Sequence, residues 1–452
     1  MTRSGPAPRP LRGALRPPPD KSVSHRAALI AAMGDGETEI ESYLDSADTR
    51  ATLAAVRELG AEVSELGPSA IPGGVDLRVA GVGLRGAARL GSAGDPGVID
   101  VQNAGTLLRV LPGWLAGQRA GSWVVDGDES IRRRPVDRVI EPLRMMGGRI
   151  EGRDRRFPPL RVEGSALRGI SYRLPVASAQ VKSCVLVAGL LAEEETTVVE
   201  PAPTRDHTER MLAAAGVEVD TVHLRTVEGI GGKPERRITV RAVERLEPAP
   251  ISVPGDFSSA AFLAVAAIIV PESEVRLDGV GLNPTRIGLL GILNRMGAAL
   301  EVEEDPGGGI EPRGTIRARH GRLTATRVRA EEVPLAIDEL PLVALLGCFA
   351  EGTTVVSGAA ELRVKESDRI ATVVEALRRA GADIEAREDG FAVRGTGELR
   401  GGAIDACGDH RLAMLGAISG LASREGVEVS GMEAAGVSYP RFESDLRSLL
   451  VD

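Results

Sequence analysis

Six stretches of the chain are apolar on nearly every face when drawn as helices, which is typical of helices buried on all sides. The first covers residues 24–33 and is followed by a turn and a short strand-like run at 38–40. The other five predicted buried helices cover residues 105–115, 179–191, 258–269, 340–349 and 410–421. Runs rich in valine, leucine or threonine follow them at 123–125, 197–199, 275–277, 354–356 and 427–429. These runs predict one strand after each buried helix.

A second kind of segment alternates with the first, namely an amphipathic helix that begins near an arginine and ends at a glycine. In the first copy Leu53, Val56 and Leu59 share one face, and Gly60 suits a helix end in the left-handed conformation. A shortened sixth copy begins at Arg441. The equivalent glycines of the copies between them are Gly147, Gly216, Gly297 and Gly381.

The repeating unit is therefore strand, buried helix, strand, amphipathic helix and one or two further strands. Six units fill the chain, and three units enclose a set of buried helices better than six would. We predict an α/β (α+β) inside-out barrel architecture: two pseudo-symmetric domains of three βαβαββ units, with helices inside and sheets outside. One domain is expected at 21–247. The other is expected at 248–452 together with 1–20, whose strand joins the C-terminal half, with residues 246–250 as a crossover.

The composition is that of an ordinary globular protein and excludes several classes. Hydrophobic residues make up 43% and charged residues 26% of the 452 positions. The formal net charge of −9 argues against a nucleic acid or an anionic membrane as partner. No uninterrupted run of about 18 apolar residues occurs, and the first 12 residues lack the apolar core of a secretory signal. We therefore expect a cytoplasmic protein.

The cysteines give no sign of a disulfide framework or a metal site. Cys184, Cys348 and Cys407 are odd in number, lie in apolar stretches that resemble helices, and include no pair at metal-ligand spacing. We expect three reduced thiols in the core.

Lysine is rare in this chain, because arginine supplies nearly all basic positions. A remaining lysine suggests a task that a compact ammonium performs better than a guanidinium, such as contact with a phosphate. Lys21 and Ser22 precede an apolar helix, whose free N–H groups and dipole favour an anion. A serine N-cap beside a solvated lysine explains this stretch equally well. The four lysines are Lys21, Lys182, Lys233 and Lys365.

Polar residues begin all six predicted buried helices, so their dipoles would add at one face of each domain. Basic side chains recur near the same ends. For any one of them a surface ion pair is an equally good explanation, but together they predict a small phosphate- or carboxylate-bearing ligand held between the domains. These residues are Arg26, Arg109, Lys182, Lys365, Arg369 and Arg411.

Seven motifs resemble those of the 5-enolpyruvylshikimate-3-phosphate synthases (3-phosphoshikimate 1-carboxyvinyltransferases), a family of enolpyruvyl transferases. They occur in order from about residue 11 to the C-terminus. They are 21–26 (KSVSHR), 103–109 (NAGTLLR), 127–135 (GDESIRRRP), 177–183 (ASAQVKS), 204–209 (TRDHTE), 362–369 (LRVKESDR) and 408–411 (GDHR).

The resemblance implies a function in the shikimate pathway of aromatic amino acid biosynthesis. The family transfers the enolpyruvyl group of phosphoenolpyruvate to the 5-hydroxyl of shikimate 3-phosphate and releases phosphate by addition and elimination. These two small molecules are the implied partners, no metal or organic cofactor is implied, and we expect a monomer.

The resemblance also assigns residues to each substrate. Shikimate 3-phosphate is expected at Lys21, Ser22, Arg26, Ser178, Gln180, Thr204, Arg205, Asp338 and Lys365. Phosphoenolpyruvate is expected at Lys21, Gly105, Arg134, Gln180, Arg369 and Arg411.

The implied catalytic residues are Asp338, Glu366 and Lys21. Asp338 resembles the residue that accepts the hydroxyl proton, and Glu366 the one that acts at the methylene carbon. Lys21, with Lys365, would neutralise charge on the leaving phosphate and the hydroxyls. We expect Asp338 to begin a buried helix and to stay ionised there. We expect substrate anions to raise the pKa of Glu366.

Some positions depart from part of the family. Ala179 stands where many members have a second serine, Glu361 where an asparagine often contacts shikimate 3-phosphate, and 436–439 where some members carry a lysine. The sequence alone leaves open whether Arg132 or Arg134 contacts phosphoenolpyruvate.

Two other functions are possible. A sister enolpyruvyl transferase for a UDP-amino sugar usually has a reactive cysteine in the first domain, whereas here the first cysteine is Cys184, in a buried helix. A non-enzymatic phosphate-binding repeat protein would have no need of the carboxylates Asp338 and Glu366.

Overall fold

The computed structural model describes residues 2–92, 95–224, 235–307 and 309–450, and Lys233 lies outside them. The helices are α1 (Lys21–Met33), α2 (Ala47–Glu58), α3 (Gly105–Ala116), α4 (Glu129–Arg132), α5 (Asp137–Met145), α6 (Ala179–Gly189), α7 (His207–Ala214), α8 (Phe257–Ile269), α9 (Gly288–Arg295), α10 (Val333–Ala336), α11 (Leu340–Phe349), α12 (Arg369–Arg379), α13 (His410–Leu421) and α14 (Phe442–Ser448).

The strands in the first half are β1 (Thr2–Ser4), β2 (Arg12–Leu15), β3 (Glu37–Leu44), β4 (Glu62–Pro68), β5 (Gly74–Ala80), β6 (Gly91–Ser92), β7 (Asp95–Asp100), β8 (Ser122–Asp126), β9 (Arg149–Arg153), β10 (Phe157–Glu163), β11 (Ser171–Arg173), β12 (Thr196–Glu200), β13 (Val219–Leu224) and β14 (Glu235–Val240). Those in the second half are β15 (Ile251–Ser252), β16 (Glu274–Gly281), β17 (Ala299–Glu304), β18 (Arg313–Arg319), β19 (Leu323–Thr324), β20 (Arg327–Val328), β21 (Ala350–Glu351), β22 (Thr353–Val356), β23 (Asp383–Arg387), β24 (Gly390–Arg394), β25 (Gly402–Asp405) and β26 (Val427–Ser430).

The six predicted buried helices are α1, α3, α6, α8, α11 and α13, with bounds within about three residues of those predicted. All 13 residues of α8 are buried, because its sequence places small or apolar side chains on every face. The amphipathic helices between them end as predicted. Gly60 and Gly381, for example, follow α2 and α12 with φ of 101° and 96°, which a glycine adopts without strain.

Within the described residues, six sheets of three to five strands surround the helices, beside the two-stranded pair β19–β21. In each, the strand after a buried helix pairs in parallel with one neighbour, and the other pairs are antiparallel, as in β7–β8–β10–β9. A parallel pair followed by an antiparallel hairpin is the predicted βαβαββ unit, and the predicted α/β fold class is confirmed.

Two hydrophobic cores organise the chain. One is formed by residues between Val23 and Val253, and the other by Leu11 together with residues from Phe257 to Leu449. The division into domains at 20/21 and 247/248 stays a prediction, and the sheet of the first core reaches past its second boundary, because β15 pairs with β3.

The two halves exchange strands, and β1, at the start of the chain, already pairs with β26 of the second half. β2 precedes α1 in the chain but pairs with β16, which follows α8. β15 precedes α8 but pairs with β3, which follows α1. The chain therefore crosses from one half to the other at 16–20 and at 253–256, and Pro19 and Gly255 form an isolated bridge there.

One cysteine departs from the prediction. Cys184 and Cys348 are buried, but Cys407 is exposed in the turn before α13, with φ of 51°. Across the described ranges, no helix is both long and apolar enough to cross a membrane. The same ranges contain no cluster of three or more histidine, cysteine or acidic residues that could hold a metal ion.

Candidate active site

A cavity of about 540 Å³ is lined by residues from both halves of the chain. Residues at or near the N-terminal end of every buried helix face it, because the buried helices of both halves start at this surface. The six positions, one for each helix, are Lys21, Gly105, Ser178, Asp256, Asp338 and His410. Helix N-termini carry partial positive charge and free N–H groups, so this arrangement favours an anionic ligand.

Basic side chains outnumber acidic ones around the cavity although the whole chain is acidic. Ten lysine and arginine side chains line it, against six carboxylates. The carboxylates are Asp48, Asp256, Glu331, Asp338, Glu361 and Glu366. The local excess of positive charge suits a ligand with several negative groups.

Helix α1 supplies Lys21, Ser22 and Arg26. The Lys21 ammonium forms an ion pair with the Asp48 carboxylate on α2. Arg26 is 3% exposed and donates to the Thr208 hydroxyl at 2.9 Å, which fixes its guanidinium in the wall of the cavity. Burial, with the nearby Arg205, lowers the pKa of Arg26 to about 10, so it stays charged at neutral pH.

Gly105 lets two arginines approach the start of α3. A side chain there would place its Cβ 2.7 Å from Arg134 Nη1 and 3.2 Å from Arg109 Nη1. Arg134 is 9% exposed and donates to the Asn103 side chain at 2.8 Å. A methyl group at position 105 would therefore displace the guanidinium of Arg134 from the place it now occupies.

Arg134, and not Arg132, reaches the cavity. Arg132 turns outward and pairs with Asp126 at 2.6 Å, with its side chain half exposed. Arg134 lines the cavity and lies 3.7 Å from the Glu366 carboxylate of the other half. Of the two arginines that the sequence left open, the structure therefore favours Arg134 as the one that faces the ligand.

Asp338 lies two residues before α11, not within it, and is surrounded by cations. Arg205 of the other half forms an ion pair with it, and Arg369 and Arg411 lie 3.3 and 3.6 Å away. Burial alone would raise the pKa of Asp338, but Arg411, Arg205 and Lys365 hold it well below its usual range. The expected ionised state agrees with this geometry.

Without substrate anions, the pKa of Glu366 is shifted in the direction opposite to the one expected when they are bound, and the expected rise stays a prediction. Burial favours the protonated acid, but Arg369 and Arg134 outweigh burial and hold the pKa of Glu366 well below its usual range. Arg369 donates to Glu366 Oε2 at 2.6 Å. The sequence showed Lys365 as the neighbour but could not show that two guanidinium groups converge on this carboxylate.

Arg369 joins three carboxylates while being 1% exposed. Its guanidinium contacts Asp409 at 2.8 Å, Glu366 at 2.6 Å and Asp338 at 3.3 Å. Asp409 also caps α13 by accepting from the backbone N–H of Arg411 at 2.9 Å. The cation therefore helps to hold the acidic groups in place as well as facing the cavity.

The structure brings all of the predicted site residues to one cavity. Besides the three catalytic candidates Lys21, Asp338 and Glu366, the cavity is lined by Ser22, Arg26, Gly105, Arg134, Ser178, Gln180, Thr204, Arg205, Lys365, Arg369 and Arg411. Their assignment to one substrate or the other stays a prediction.

Lys182 does not reach the cavity, against the expectation that it faces the ligand. Its side chain is fully buried and forms ion pairs with Glu200 at 3.0 Å and Glu209 at 2.7 Å. Position 182 lies one turn after Ser178, further from the end of α6 that faces the cavity.

Sequence reasoning missed an ion pair across the cavity. Arg138 on α5 and Glu361, in the 3-10 turn before α12, both line the cavity and face each other from the two halves. Glu361 stood out in the sequence as a departure from part of the family, but Arg138 looked like an ordinary charge near the start of an amphipathic helix. Only the folded arrangement could pair them.

Known proteins are similar to this chain over nearly its whole length. The family model for EPSP synthase (3-phosphoshikimate 1-carboxyvinyltransferase) matches residues 6–446. The chain belongs to the EPSP synthase family. The predicted family and the predicted enzyme class, a 3-phosphoshikimate 1-carboxyvinyltransferase, are confirmed.

Two relatives named 3-phosphoshikimate 1-carboxyvinyltransferase illustrate how far the similarity extends. One from Synechococcus sp. (strain JA-3-3Ab) is 45% identical over 444 residues, covering 98% of this chain and 95% of the relative. One from Shouchella clausii is 44% identical over 441 residues, covering 97% and 96%. The similarity therefore spans both halves and every part of the cavity.

Solved structures agree in fold. The EPSP synthase of Acinetobacter baumannii superposes with a TM-score of 0.81 at 39% identity, covering 99% of this chain and 97% of that one. The enolpyruvyl transferase NikO of Streptomyces tendae gives 0.74 at 16% identity, covering 100% and 97%, and at that identity supports the fold alone.

Proposed function

We propose that this chain transfers the enolpyruvyl group of phosphoenolpyruvate to the 5-hydroxyl of shikimate 3-phosphate within this cavity, giving 5-enolpyruvylshikimate 3-phosphate and phosphate. The observation that carries the proposal is the pairing of two ionised carboxylates, Asp338 and Glu366, with an excess of basic groups at six helix N-termini. Both substrates bear a phosphate and a carboxylate, and the cavity offers guanidinium groups and helix ends to both.

Shikimate 3-phosphate would lie toward the first half of the chain. Arg26 and Arg205 supply fixed guanidinium groups there, and Ser178 caps α6 through its side chain. The proposed set is Lys21, Ser22, Arg26, Ser178, Gln180, Arg205, Asp338 and Lys365. Thr204, the remaining predicted residue, also lines the cavity, but its hydroxyl donates to Glu200. Asp338 reaches this substrate from the other half, which places its carboxylate beside a hydroxyl.

Phosphoenolpyruvate would lie between the halves. Gly105 leaves the space in which Arg134 faces the cavity from one side, and Arg369 and Arg411 face it from the other. The full proposed set is Lys21, Gly105, Arg134, Gln180, Arg369 and Arg411. Planar guanidinium groups suit the carboxylate and phosphate of this substrate.

The reaction needs a base and an acid on opposite sides of the reacting carbon. In the addition step Asp338 takes the proton of the 5-hydroxyl as its oxygen bonds to the central carbon, and the methylene carbon gains a proton from Glu366. In the elimination step the new methyl group returns a proton to Glu366 and the bond between the central carbon and the phosphate oxygen breaks. The phosphate leaves with the proton that Asp338 had taken, while Lys21 and Lys365 offset its charge.

Glu366 must become protonated before it can donate. Its low pKa in the free protein comes from Arg369 and Arg134, and both are proposed to turn to phosphoenolpyruvate. When substrate anions take over these guanidinium groups, the carboxylate loses its stabilising partners and gains like charges nearby. Its pKa then rises, so binding itself prepares the acid.

The test is phosphate release from purified protein with both substrates, with each substrate alone as a control. Release that requires both substrates supports the proposal. Replacing shikimate 3-phosphate by a UDP-amino sugar tests the sister reaction. Turnover with that sugar and none with shikimate 3-phosphate would overturn the assignment. A monomer that needs no added metal or organic cofactor is proposed as well, and is checked by light scattering and by assay after chelation.

A further inference from the structure

Lys182 lies at the centre of a buried charge cluster beneath the cavity. Its ammonium lies 3.0 Å from Glu200 Oε2 and 2.7 Å from Glu209 Oε1, and it donates to the backbone carbonyl of Thr204 at 3.3 Å. Glu200 ends β12 and Glu209 lies on α7, so the cluster joins α6, β12 and α7. Residues 201–206, which connect β12 to α7, therefore run directly over it.

Glu200 holds the same connection from a second direction. Its carboxylate accepts from the Thr204 hydroxyl at 2.7 Å and lies 3.4 Å from the Thr204 backbone nitrogen. With the contact from Lys182, the N–H, carbonyl and hydroxyl groups of Thr204 are all held by the cluster. Thr204 is 3% exposed, and its hydroxyl proton points at Glu200 and away from the cavity.

This geometry changes the role expected of Thr204. A hydroxyl has one proton, and here it is used in the hydrogen bond to the Glu200 carboxylate. Thr204 is therefore poorly placed to donate a hydrogen bond to a phosphate of the ligand. The next residue, Arg205, does face the cavity and pairs with Asp338. Fixing Thr204 at three points fixes the backbone direction from which the Arg205 side chain leaves.

We propose that Lys182 and Glu200 are positioning residues for anion binding, which hold 201–206 so that Arg205 faces the phosphate of the substrate. The identity of that substrate rests on the proposed function. A lysine suits the central position because one compact ammonium lies close to three oxygen atoms, whereas a planar guanidinium would need more room in a fully buried space.

The cluster supplies its own matched control. Glu200 and Glu209 are both buried and both pair with Lys182, but only Glu200 contacts Thr204. Glu200→Gln and Glu209→Gln each remove one negative charge at nearly the same place. Glu200 also lies 3.5 Å from Arg236, so Arg236→Gln is a second control, and a selective rise in the KM for shikimate 3-phosphate in Glu200→Gln alone reports on the contact with Thr204.

The kinetic test compares the two variants with wild type. Glu200→Gln weakens a charge-assisted hydrogen bond to Thr204, so we expect the KM for shikimate 3-phosphate to rise about tenfold. The KM for phosphoenolpyruvate should change by less than about twofold. Glu209→Gln should leave both KM values within about twofold of wild type, while lowering the melting temperature about as much as Glu200→Gln does. Equal effects of the two variants on the KM for shikimate 3-phosphate would overturn the proposal.

A second measurement needs no substrate, so the proposal can fail or hold separately from the proposed reaction. Backbone amide exchange of peptides covering 201–206, followed by mass spectrometry, should be at least about tenfold faster in Glu200→Gln than in Glu209→Gln. Equal exchange in both variants would refute the positioning role even if the enzyme turns over normally. Absence of turnover in wild type, with the exchange difference present, would count against the proposed function alone.

Discussion

The guanidinium of Arg138 and the carboxylate of Glu361 face each other across the cavity with two nitrogen–oxygen distances of 2.9 Å. This two-pronged ion pair links the two halves of the chain and involves no group assigned to the reaction. The pairs Arg205–Asp338 and Arg134–Glu366 also cross the cavity, but we propose that their members bind the substrates or act on them. We therefore expect the Arg138–Glu361 pair to persist while the others are exchanged for ligand contacts.

The first prediction concerns this pair. Each side chain is about one-third exposed, so solvent screening limits the free energy that the ion pair contributes to holding the two halves together to roughly 1 kcal/mol. Arg138→Glu places two carboxylates across the cavity and should raise the KM of both substrates about two- to fivefold. The double variant Arg138→Glu/Glu361→Arg should recover most of the loss, measured by steady-state kinetics at low salt. A double variant that is worse than the single one would show that the pair has no linking role.

The second prediction concerns the two carboxylates of the reaction. Asp338→Asn and Glu366→Gln should each lower kcat by at least about a hundredfold, the usual scale for a positioned acid or base. Shikimate 3-phosphate should still bind to both variants in calorimetry. Exchange of solvent deuterium into the methylene carbon of phosphoenolpyruvate should fall with turnover in Glu366→Gln. If turnover and exchange stay near normal there, His410 or Lys21 becomes the next candidate donor.

The third prediction separates two arginines that look alike in the sequence. Arg369→Ala leaves Asp338, Glu366 and Asp409 without their shared cation, so it should lower the melting temperature by several degrees and raise the KM for phosphoenolpyruvate. Arg411→Ala should raise the same KM with a smaller loss of stability, because Arg411 lies 3.6 Å or more from the carboxylates around it. Thermal unfolding and kinetics on both variants check this. Equal losses of stability would contradict it.

The fourth prediction concerns Gly105→Ala. The added methyl group would lie 2.7 Å from Arg134 Nη1, and the flexible guanidinium can retreat from it. We expect the KM for phosphoenolpyruvate to rise roughly fivefold to thirtyfold, for a loss of about 1–2 kcal/mol in one charged contact. The affinity for shikimate 3-phosphate should stay within about twofold. A larger loss for shikimate 3-phosphate than for phosphoenolpyruvate would show that Arg134 serves the wrong substrate in our proposal.

The fifth prediction concerns pH and His25. Burial, helped by the charge of Lys21, lowers the pKa of His25 from 6.5 to about 3. Between pH 6.5 and pH 3, His25 is therefore protonated in the unfolded chain but neutral in the folded chain. The free energy of unfolding consequently falls as the pH falls through this range. From pH 7 to pH 5 this one residue should cost about 2 kcal/mol of unfolding free energy.

Denaturant unfolding at both pH values tests this assignment. The free energy of unfolding should differ between pH 7 and pH 5 by about 2 kcal/mol less in His25→Gln than in wild type. The same difference should be as large as in wild type in His223→Gln, whose side chain is exposed on β13. The comparison uses the difference between pH values, so a general loss of stability in His25→Gln does not obscure it. An unchanged difference in His25→Gln would contradict the low pKa.

The sequence predicts the scaffold well because its signals are local. The all-round apolar character of α8 requires burial whatever surrounds it, and Gly60 marks the end of α2 through a conformation that other residues avoid. The site residues also follow from local signals, because they stand at predictable helix ends. The family motifs then assign those positions to a reaction.

Pairings between distant residues could not be predicted in this way. Lys182 and Lys365 are both isolated lysines in the sequence, yet one is enclosed by Glu200 and Glu209 and the other lines the cavity. The low pKa of Glu366 depends on Arg134, which is more than 200 residues away in the chain. Electrostatic states are set by such long-range contacts, and a one-dimensional pattern does not contain them.

The strand exchange between the halves has a consequence for how the chain is made. The sheet of the second half needs β2, whose partner β16 leaves the ribosome about 260 residues later. At about 5–20 residues per second, β2 waits on the order of ten seconds to a minute as an unpaired strand. Arg12 and the prolines that follow β2 discourage its pairing with other chains during that wait. The half between the two crossings can assemble most of its core during synthesis, whereas the other half closes only near the end of translation.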